Sequence, residues 1–353
     1  MQAPADVLNV GNSGTTLYIV TAMSTLLATG SAVITGDYQI RRRPAGPLVD
    51  ALNELGGRVQ STRGNGTAPL VAGGPLRGGT TRLPGVNSQW LTPLLIVGPL
   101  TEKGVEVTVD SLQERPYIAM TLGWLERLGA TFENDSYTHF FVKGGYRYSA
   151  FSAHIPADWE SATFPLVAAA ITESDVTLYG LDIRDHQGDK AIIDILIRMG
   201  ADVEVRNFGV DGIRVRGGRP LTGVEIDCRD LPDAPPILAV LGTQAKGRTV
   251  LTGLAASRLK ETDRPRSIYE ELSKMGARIE DQGDRLIIEN SQLHGALIDG
   301  RHDHRIIMAT AIAGLVAQGP TVIETAEYAA VSFPNFYEVM TSLGANIRRL
   351  ADA

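Results

Sequence analysis

The chain has little cysteine, no long apolar run and no excess of basic charge. Its single cysteine, Cys228, excludes an intrachain disulfide framework and fits a reducing compartment. The longest apolar stretches, such as the one from Ile306, extend over about 12 residues, too few to span a bilayer. The opening MQAPADVLNV lacks the basic region of a secretory signal. A net charge of −7 argues against nucleic acid as the main partner. Together these features predict a cytoplasmic protein without membrane or nucleic-acid partners.

One sequence pattern returns five times. Each copy has apolar residues three and four apart, then Leu or Met, a glycine, a small residue and a β-branched or aromatic residue, which predicts an amphipathic helix, its glycine stop and the start of a strand. The copies are LVDALNELGGRV, TLGWLERLGATF, IIDILIRMGADV, IYEELSKMGARI and FYEVMTSLGANI, with marker glycines Gly56, Gly129, Gly200, Gly276 and Gly344. The period of about 70 residues accommodates a helix and several strands in each unit.

β-branched runs between the markers predict strands, so the fold class is α/β. The runs are GVEVTV (104–109), DVTLYG (175–180), RTVLTGL (248–254), RLIIEN (285–290) and TVIETA (321–326). A chain of 353 residues suggests about two domains. Five units do not divide evenly into two domains whereas six would, so we expect a further unit upstream of the first.

Three arginines precede predicted helices. Arg43 ends the RRR of YQIRRRPAG, Arg264 ends LKETDR, and Arg305 opens the apolar helix after HDH. Free N–H groups at such helix entrances favour anions, although a solvated basic turn or a simple cap explains each arginine taken alone. His302 and His304 invite a metal reading, but no further ligand cluster accompanies them, so no metal is expected.

A glycine turn and a loop carboxylate complete the candidate features. In GNSGTT, residues 11–16, backbone N–H groups near Asn12 and Gly14 could face an anion, or the turn could simply cap a helix. Asp233 in PDAPP precedes an apolar run and is by itself interpretable as a cap. Taken together with Lys260 and Glu261 of LKETDR, these features suit a small polyanionic substrate and proton-transfer chemistry.

In this combination the sequence resembles the enolpyruvyl transferases, and most closely their shikimate-pathway branch. The resemblance follows the whole chain through GNSGTT, GDYQIRRRP, NSQWLTPLL, RPYIAMTL, HQGD, PDAPP, LKETDR, DHR and FPNFYEVM. It implies an inside-out α/β barrel fold of two similar domains, each built from three copies of one unit, with the active site in the cleft between them. It places an N-terminal domain at 1–153, with two of three units, and a C-terminal domain at 154–353, with three.

The family transfers the enolpyruvyl group of phosphoenolpyruvate to an alcohol and releases phosphate, without metal or organic cofactor. For this chain the resemblance implies shikimate 3-phosphate as acceptor, and hence a role in chorismate and aromatic amino acid biosynthesis. The implied phosphoenolpyruvate-binding residues are Arg43, Arg264, Arg305, Gly14 and Asn12. The implied catalytic residues are Glu261 for the methylene proton, Asp233 for the hydroxyl proton and Lys260 to hold the acceptor, with His304 as a weaker candidate for stabilising phosphate.

The implied acceptor-binding residues are Asn87, Ser88, Gln89, Tyr117, Asp233 and Lys260. Several positions depart from the family pattern: Asn87 and Glu114 stand where serines are usual, Val331 replaces a lysine and Ala256 an asparagine. Two alternatives therefore remain at this point, enolpyruvyl transfer to a different alcohol or a noncatalytic truncated relative. Glyphosate competes with phosphoenolpyruvate in this family, and a monomer is expected.

Overall fold

The structure is a computed structural model that describes residues 1–350. The chain divides into two compact units, Met1–Ala153 and His154–Ala353. Each unit has its own core of buried apolar side chains, contributed by its helices and by the inward-facing residues of its strands. A motif of strand, helix, strand, helix and hairpin occurs in both of these units.

The first motif of unit 1 forms a four-stranded sheet in the order β1-β2-β4-β3, with β1 parallel to β2 and the other pairs antiparallel. Its elements are β1 Leu8–Asn9, α1 Gly14–Ser24, β2 Ala32–Thr35, α2 Gly46–Glu54, β3 Arg58–Ser61 and β4 Leu70–Gly73. The second motif repeats this order as β5-β6-β8-β7. Its elements are β5 Gly79–Pro84, α3 Ser88–Val97, β6 Val105–Asp110, α4 Arg115–Arg127, β7 Phe132–Asp135 and β8 His139–Val142.

Unit 2 contains one motif with the same four-strand order and two shorter ones. The shorter first motif has α5 Trp159–Ile171, β9 Asp175–Leu178, α6 Ile192–Arg198, β10 Asp202–Val205 and β11 Ile213–Arg216, with strand order β10-β11-β9. The four-strand motif, in the order β13-β15-β17-β16, has β13 Glu225–Asp227, α7 Pro235–Thr243, β15 Arg248–Thr252, α8 Arg264–Lys274, β16 Arg278–Asp281 and β17 Arg285–Glu289. A separate parallel pair is formed by β12 Leu221–Thr222, which precedes β13, and β14 Ala245–Lys246, which lies between α7 and β15. The last motif has β18 Leu297–Asp299, α9 His304–Gly314, β19 Val322–Glu324 and α10 Phe336–Ser342.

The predicted repeat is confirmed in four copies and partly wrong in the fifth. The marker glycines Gly56, Gly129, Gly200, Gly276 and Gly344 all have φ between 79° and 100°. Glycine suits these positions because it adopts the left-handed region that ends a helix without the strain that a Cβ brings. A strand follows the first four markers, but residues 345–350 form none, since the short β18–β19 sheet offers them no antiparallel partner.

Three apolar helices form the centre of unit 2. Helices α5, α7 and α9 pack on one another, and nearly every residue of α7 and α9 is buried. A helix that is apolar on all sides has to be covered on all sides, which explains why these runs lack an amphipathic pattern. Within residues 1–350, no helix is both long and apolar enough to cross a bilayer.

Candidate functional site

In unit 2, the predicted site residues lie on the loops that enter helices α7, α8 and α9. Asp233 precedes α7, Lys260 and Glu261 precede α8, and Arg264 is the first residue of α8. Arg305 lies in the first turn of α9. Each loop follows a strand, β13, β15 or β18, and ends at a helix N-terminus, where backbone N–H groups lack intrahelical partners. The repeated motif thus delivers similar loops to one region of the unit.

Arg264 connects the carboxylates of this region. Its side chain is buried; Nε donates to Asp303 Oδ2 at 3.0 Å, and the two terminal nitrogens donate to Asp233 and Glu261. Burial opposes the charged guanidinium, but Asp303, Glu261 and Asp233 outweigh it and hold the pKa of Arg264 well above its usual range. The guanidinium therefore stays charged and fixes two of the predicted catalytic carboxylates in place.

Asp233 is an ionised carboxylate in a buried setting. Burial by itself raises its pKa, yet Lys260, Arg264 and Arg305 together hold that pKa well below the usual range. Lys260 Nζ lies 3.5 Å from Asp233 Oδ2. The residue is not the helix cap of the simpler interpretation, because the cap position of α7 is Ala234 and no side chain accepts a capping bond there. The carboxylate of Asp233 is therefore present in the form that can accept a proton, beside the ammonium group of Lys260.

Arg305 is held by the cap of α9 and by a glutamate on α5. Asp303 caps α9, and its Oδ1 accepts from the Arg305 N–H at 2.9 Å. The Arg305 guanidinium donates to Glu160 and lies 5.8 Å from the centre of the Phe164 ring, while its buried Nε has no hydrogen-bond partner. Burial lowers the pKa of Arg305, but Glu160 and Asp233 raise it more, so the charge is retained.

His304 is a neutral imidazole in this setting. Burial, with Arg305 and Arg264 nearby, lowers the pKa of His304 to about 4, and its Nδ1 has no partner. Residues 1–350 contain no group of three or more His, Cys, Asp or Glu side chains arranged to hold a metal ion.

Sequence reasoning missed two acids at this centre, Glu160 and Asp189. Burial raises the pKa of Glu160 well above its usual range, and burial together with Asp233 raises that of Asp189 to about 7. Asp189 is buried, with Oδ1 lacking a partner. Asp189 lies in HQGD, which the sequence analysis gave as a family motif without assigning it a role, and Glu160 lies in DWES at the start of unit 2.

In unit 1, the glycine turn meets Arg43 and Gln89. Ser13 caps α1. A Cβ built on Gly14 would lie 3.1 Å from Arg43 Nη1 and 3.6 Å from Gln89 Oε1. Gln89 Nε2 donates to Thr15 Oγ1 at 2.9 Å, whereas its buried Oε1 has no hydrogen-bond partner. The structure therefore brings Gly14, Arg43 and Gln89 together.

Asn12 is nearby in sequence but is engaged elsewhere. Its Nδ2 donates to Asp37 Oδ2 and to Gln39 Oε1, both at 2.5 Å. These bonds tie the glycine turn to the segment that follows β2. The Asn12 amide therefore orients the turn in this structure.

The predicted acceptor residues of unit 1 lie at the starts of α3 and α4. Asn87 caps α3 by accepting from the Gln89 N–H at 2.9 Å. The N–H and hydroxyl of Ser88 both donate to Glu114 Oε2, at 2.8 and 2.7 Å. Glu114 is buried with φ of 58°, and Tyr117 follows in the first turn of α4. The hydroxyl of Ser88 is thus bonded to the glutamate that departs from the family pattern.

The chain is similar to known proteins over nearly its whole length. A sequence profile described as EPSP synthase (3-phosphoshikimate 1-carboxyvinyltransferase) matches residues 1–340. The chain is 47% identical over 346 residues to the 3-phosphoshikimate 1-carboxyvinyltransferase of Ruminiclostridium cellulolyticum, covering 98% of this chain and 81% of that protein. It is 44% identical over 352 residues to the protein of the same name from Halobacterium salinarum, covering 97% and 81%.

A solved structure is also similar. EPSP synthase from Acinetobacter baumannii superposes with a TM-score of 0.80 at 31% identity, covering 98% of this chain and 80% of that one. The predicted α/β fold class of the enolpyruvyl transferases is thereby confirmed.

Proposed function

Since the chain belongs to the EPSP synthase (3-phosphoshikimate 1-carboxyvinyltransferase) family, and is therefore a transferase, we propose how its residues move the enolpyruvyl group of phosphoenolpyruvate to shikimate 3-phosphate. The observation that carries the proposal is the ionised Asp233 held between Lys260 and Arg264. A base for the acceptor hydroxyl and cations for the donor are present together in unit 2.

Phosphoenolpyruvate brings a carboxylate and a phosphate, and we assign their binding to Arg43, Arg264 and Arg305 with the turn at Asn12 and Gly14. An arginine fork pairs with either group through two parallel hydrogen bonds and stays charged at all working pH values. In unit 2, the carboxyl groups of Glu261 and Glu160 already accept from Arg264 and Arg305, and substrate anions would take up the same N–H groups.

The reaction follows from these charges. Asp233 takes the proton of the acceptor hydroxyl as the hydroxyl oxygen bonds to C2, while Glu261, in its protonated form, gives a proton to C3 of the vinyl group. The resulting tetrahedral adduct then loses phosphate from C2 and a proton from C3, which restores the double bond, and the two carboxyl groups exchange roles. Lys260 holds the acceptor oxygen beside Asp233.

We assign the remaining acceptor contacts to Asn87, Ser88, Gln89 and Tyr117. A second acceptor is favoured by one observation, the bond from the Ser88 hydroxyl to Glu114, because a carboxylate at short range repels a phosphate. The functional test therefore includes shikimate, the same alcohol without its phosphate.

The test measures phosphate release from phosphoenolpyruvate with shikimate 3-phosphate, with shikimate, or with no acceptor. We expect release with shikimate 3-phosphate, and a loss in kcat of roughly 10²- to 10⁴-fold in Asp233→Asn and Glu261→Gln. Asp194→Asn, an exposed acid of the same unit, serves as control and should retain the rate of the parent. Release with shikimate alone would favour the second acceptor, and undiminished rates in both acid variants would contradict the assigned roles.

We also propose that Met1–Ala153 and His154–Ala353 are the N- and C-terminal enolpyruvyl transferase domains, and that the protein works as a monomer in the cytoplasm. The separate cores of the two units support the domain assignment. Burial of the Cys228 thiol is compatible with the monomer, since it leaves no exposed thiol for intermolecular pairing. Light scattering of the purified chain tests the oligomeric state, and a dimer mass would contradict it.

A further inference from the structure

One buried hydroxyl group of unit 2 is bonded to the peptide that carries Asp233. Ser257 lies on the short 3-10 helix Ala256–Leu259, and its side chain is fully buried. Its hydroxyl donates to the carbonyl oxygen of Pro232 at 2.6 Å. This oxygen belongs to the planar peptide group that joins Pro232 to Asp233. The bond therefore fixes the backbone directly before the base that we assign to the acceptor hydroxyl.

The segment that carries Ser257 is itself anchored. The next residue, Arg258, donates from its guanidinium to three acceptors that lie before α8, at the end of β16 and in the turn that follows β16. The three acceptors are Asp263 Oδ1 at 2.7 Å, Asp281 Oδ1 at 2.6 Å and the carbonyl oxygen of Gly283 at 3.0 Å. Charge-assisted bonds of this kind are short and directional, so they hold the 3-10 helix in one place. Ser257 is thus a fixed donor.

The loop before α7 receives less support from the helix that it enters. The cap position of α7 is Ala234, whose methyl group cannot accept a capping bond. Pro235 and Pro236 follow, and proline has no backbone N–H to offer. The bond from Ser257 instead ties this loop to the 3-10 helix before α8.

The two segments joined by this bond carry two groups that act together. Lys260 directly follows the 3-10 helix, and its Nζ lies 3.5 Å from Asp233 Oδ2. The hydroxyl of Ser257 therefore helps to set the separation between the carboxylate and the ammonium group. Arg264, which donates to Asp233, has a separate bond from Nε to Asp303 Oδ2 at 3.0 Å and is held without this loop.

We propose that Ser257 is a positioning residue for enolpyruvyl transfer, whose hydroxyl holds the Pro232–Asp233 peptide so that the Asp233 carboxylate lies beside Lys260 and the acceptor hydroxyl. This inference rests on the proposed function. Ser257 acts through Asp233 and takes no part in the proton transfers. Without its hydroxyl, the Pro232 carbonyl loses a buried donor, and the loop moves towards another partner or water.

Ser257→Ala removes this hydroxyl with a small change in volume. We expect kcat with shikimate 3-phosphate to fall roughly 10- to 100-fold, because a displacement of a reacting group by about 1 Å can cost about 10²-fold. KM for phosphoenolpyruvate should stay within about twofold of the parent, since Arg264 keeps its bond to Asp303. Steady-state kinetics with each substrate varied in turn measure both constants.

Ser24 provides the matched control. It is a buried serine at the end of α1 in unit 1, and its hydroxyl donates to the Val20 carbonyl oxygen at 2.7 Å. Ser24→Ala therefore removes a bond of the same kind by the same substitution, and both kinetic constants should remain those of the parent. A kcat for Ser257→Ala equal to that of the parent, or a loss confined to KM, would overturn the proposal.

A double-mutant cycle separates positioning of Asp233 from a general loss of stability. If Ser257 acts through Asp233, adding Ser257→Ala to Asp233→Asn should lower kcat by less than about twofold, because the base is already missing. A purely structural role predicts the same fractional loss in both backgrounds. Losses that multiply would overturn the proposal.

Hydrogen exchange gives a measurement that does not depend on turnover. The backbone N–H groups of Leu231, Asp233 and Ala234 should exchange roughly fivefold faster in Ser257→Ala, because the loop loses one buried bond. In Ser24→Ala they should exchange at the rate of the parent. Unchanged exchange in Ser257→Ala would overturn the proposal. Faster exchange in a protein that releases no phosphate with shikimate 3-phosphate would uphold the tie between the two segments and contradict only the proposed function.

Discussion

Gly14 lies where a side chain would press on Arg43. A Cβ at this position would be 3.1 Å from Arg43 Nη1, so the guanidinium has to shift by a few tenths of an ångström. Because we assign Arg43 to phosphoenolpyruvate, we expect Gly14→Ala to raise the inhibition constant of glyphosate by roughly tenfold, equivalent to about 1.4 kcal/mol of binding. Turnover should change less. Inhibition kinetics against varied phosphoenolpyruvate measure both effects.

Gly46 provides the matched control for this substitution. It begins α2, and a Cβ there would meet no atom within 4 Å. Gly46→Ala should leave both glyphosate inhibition and turnover as in the parent. If Gly14→Ala and the parent had equal inhibition constants, the assigned place of Gly14 beside the donor would be wrong.

At the level of residues, the sequence located the groups that stand in its motifs but not the bonds between distant ones. Lys260, Glu261 and Arg264 share one short segment, so their proximity could be predicted. Glu160 reaches Arg305 only because α5 packs on α9, and a glutamate in a first helical turn otherwise resembles an ordinary complement to the helix dipole. The left-handed backbone of Glu114, which accompanies its bond to Ser88, has no sequence signal either.

The start of α9 combines a helix cap with a buried ion pair. Asp303 is fully buried and accepts from the Arg305 N–H, from Thr262 Oγ1 at 2.8 Å and from Arg264 Nε at 3.0 Å. Asparagine keeps the capping oxygen but removes the charge. We expect Asp303→Asn to lower the free energy of unfolding by about 3 kcal/mol, because a buried arginine loses one of its charged partners. Urea unfolding measures this loss.

Asp158, which caps α5, provides the comparison for Asp303→Asn. Asp158 accepts from the Glu160 and Ser161 N–H groups but is exposed. Asp158→Asn should cost less than about 1 kcal/mol, since asparagine caps nearly as well and water screens the lost charge. Equal costs for the two variants would show that the Asp303 charge contributes nothing beyond its cap.

At the level of elements, the helix–glycine–strand repeat was the most predictable part of the fold. Its signals are local: an apolar period, a glycine with positive φ and a β-branched run. The strand expected after Gly344 is absent from residues 345–350, because a strand also needs a neighbour, and pairing depends on residues far away in sequence. The central helices α7 and α9 carried little periodicity, since they are buried on all sides.

At the scale of the whole molecule, net charge describes the surface better than the site. The chain carries −7 overall, yet Arg264 and Arg305 are nearly fully buried among acids. Composition could exclude nucleic acid as an expected partner but could not reveal this internal arrangement. The internal arrangement also affects stability: because its acids and a histidine are buried, the free energy of unfolding depends on pH.

Two of these buried groups, His304 and Asp189, make the free energy of unfolding depend on pH in opposite directions. His304 has its pKa lowered from 6.5 to about 4, so stability is lost as the pH falls from about 6.5 towards 4, by up to about 3 kcal/mol. Asp189 has its pKa raised from 3.8 to about 7, so stability is lost as the pH rises across that range, by up to about 4 kcal/mol. Between about pH 4 and about pH 6.5 the two contributions nearly cancel.

Replacing either residue alone should reveal the pH dependence that the other contributes to the free energy of unfolding. Relative to the parent, the free energy of unfolding of Asp189→Asn should rise with pH between about pH 4.5 and about pH 6.5, and that of His304→Gln should fall. Subtracting the free energy of unfolding of the parent removes the contribution of groups that titrate alike in both proteins. His154 is an exposed histidine, so for His154→Gln this difference should not change with pH. Urea unfolding at several pH values gives these slopes. Parallel curves for all four proteins would mean that neither Asp189 nor His304 titrates abnormally, and the buried charge arrangement of unit 2 would then need revision.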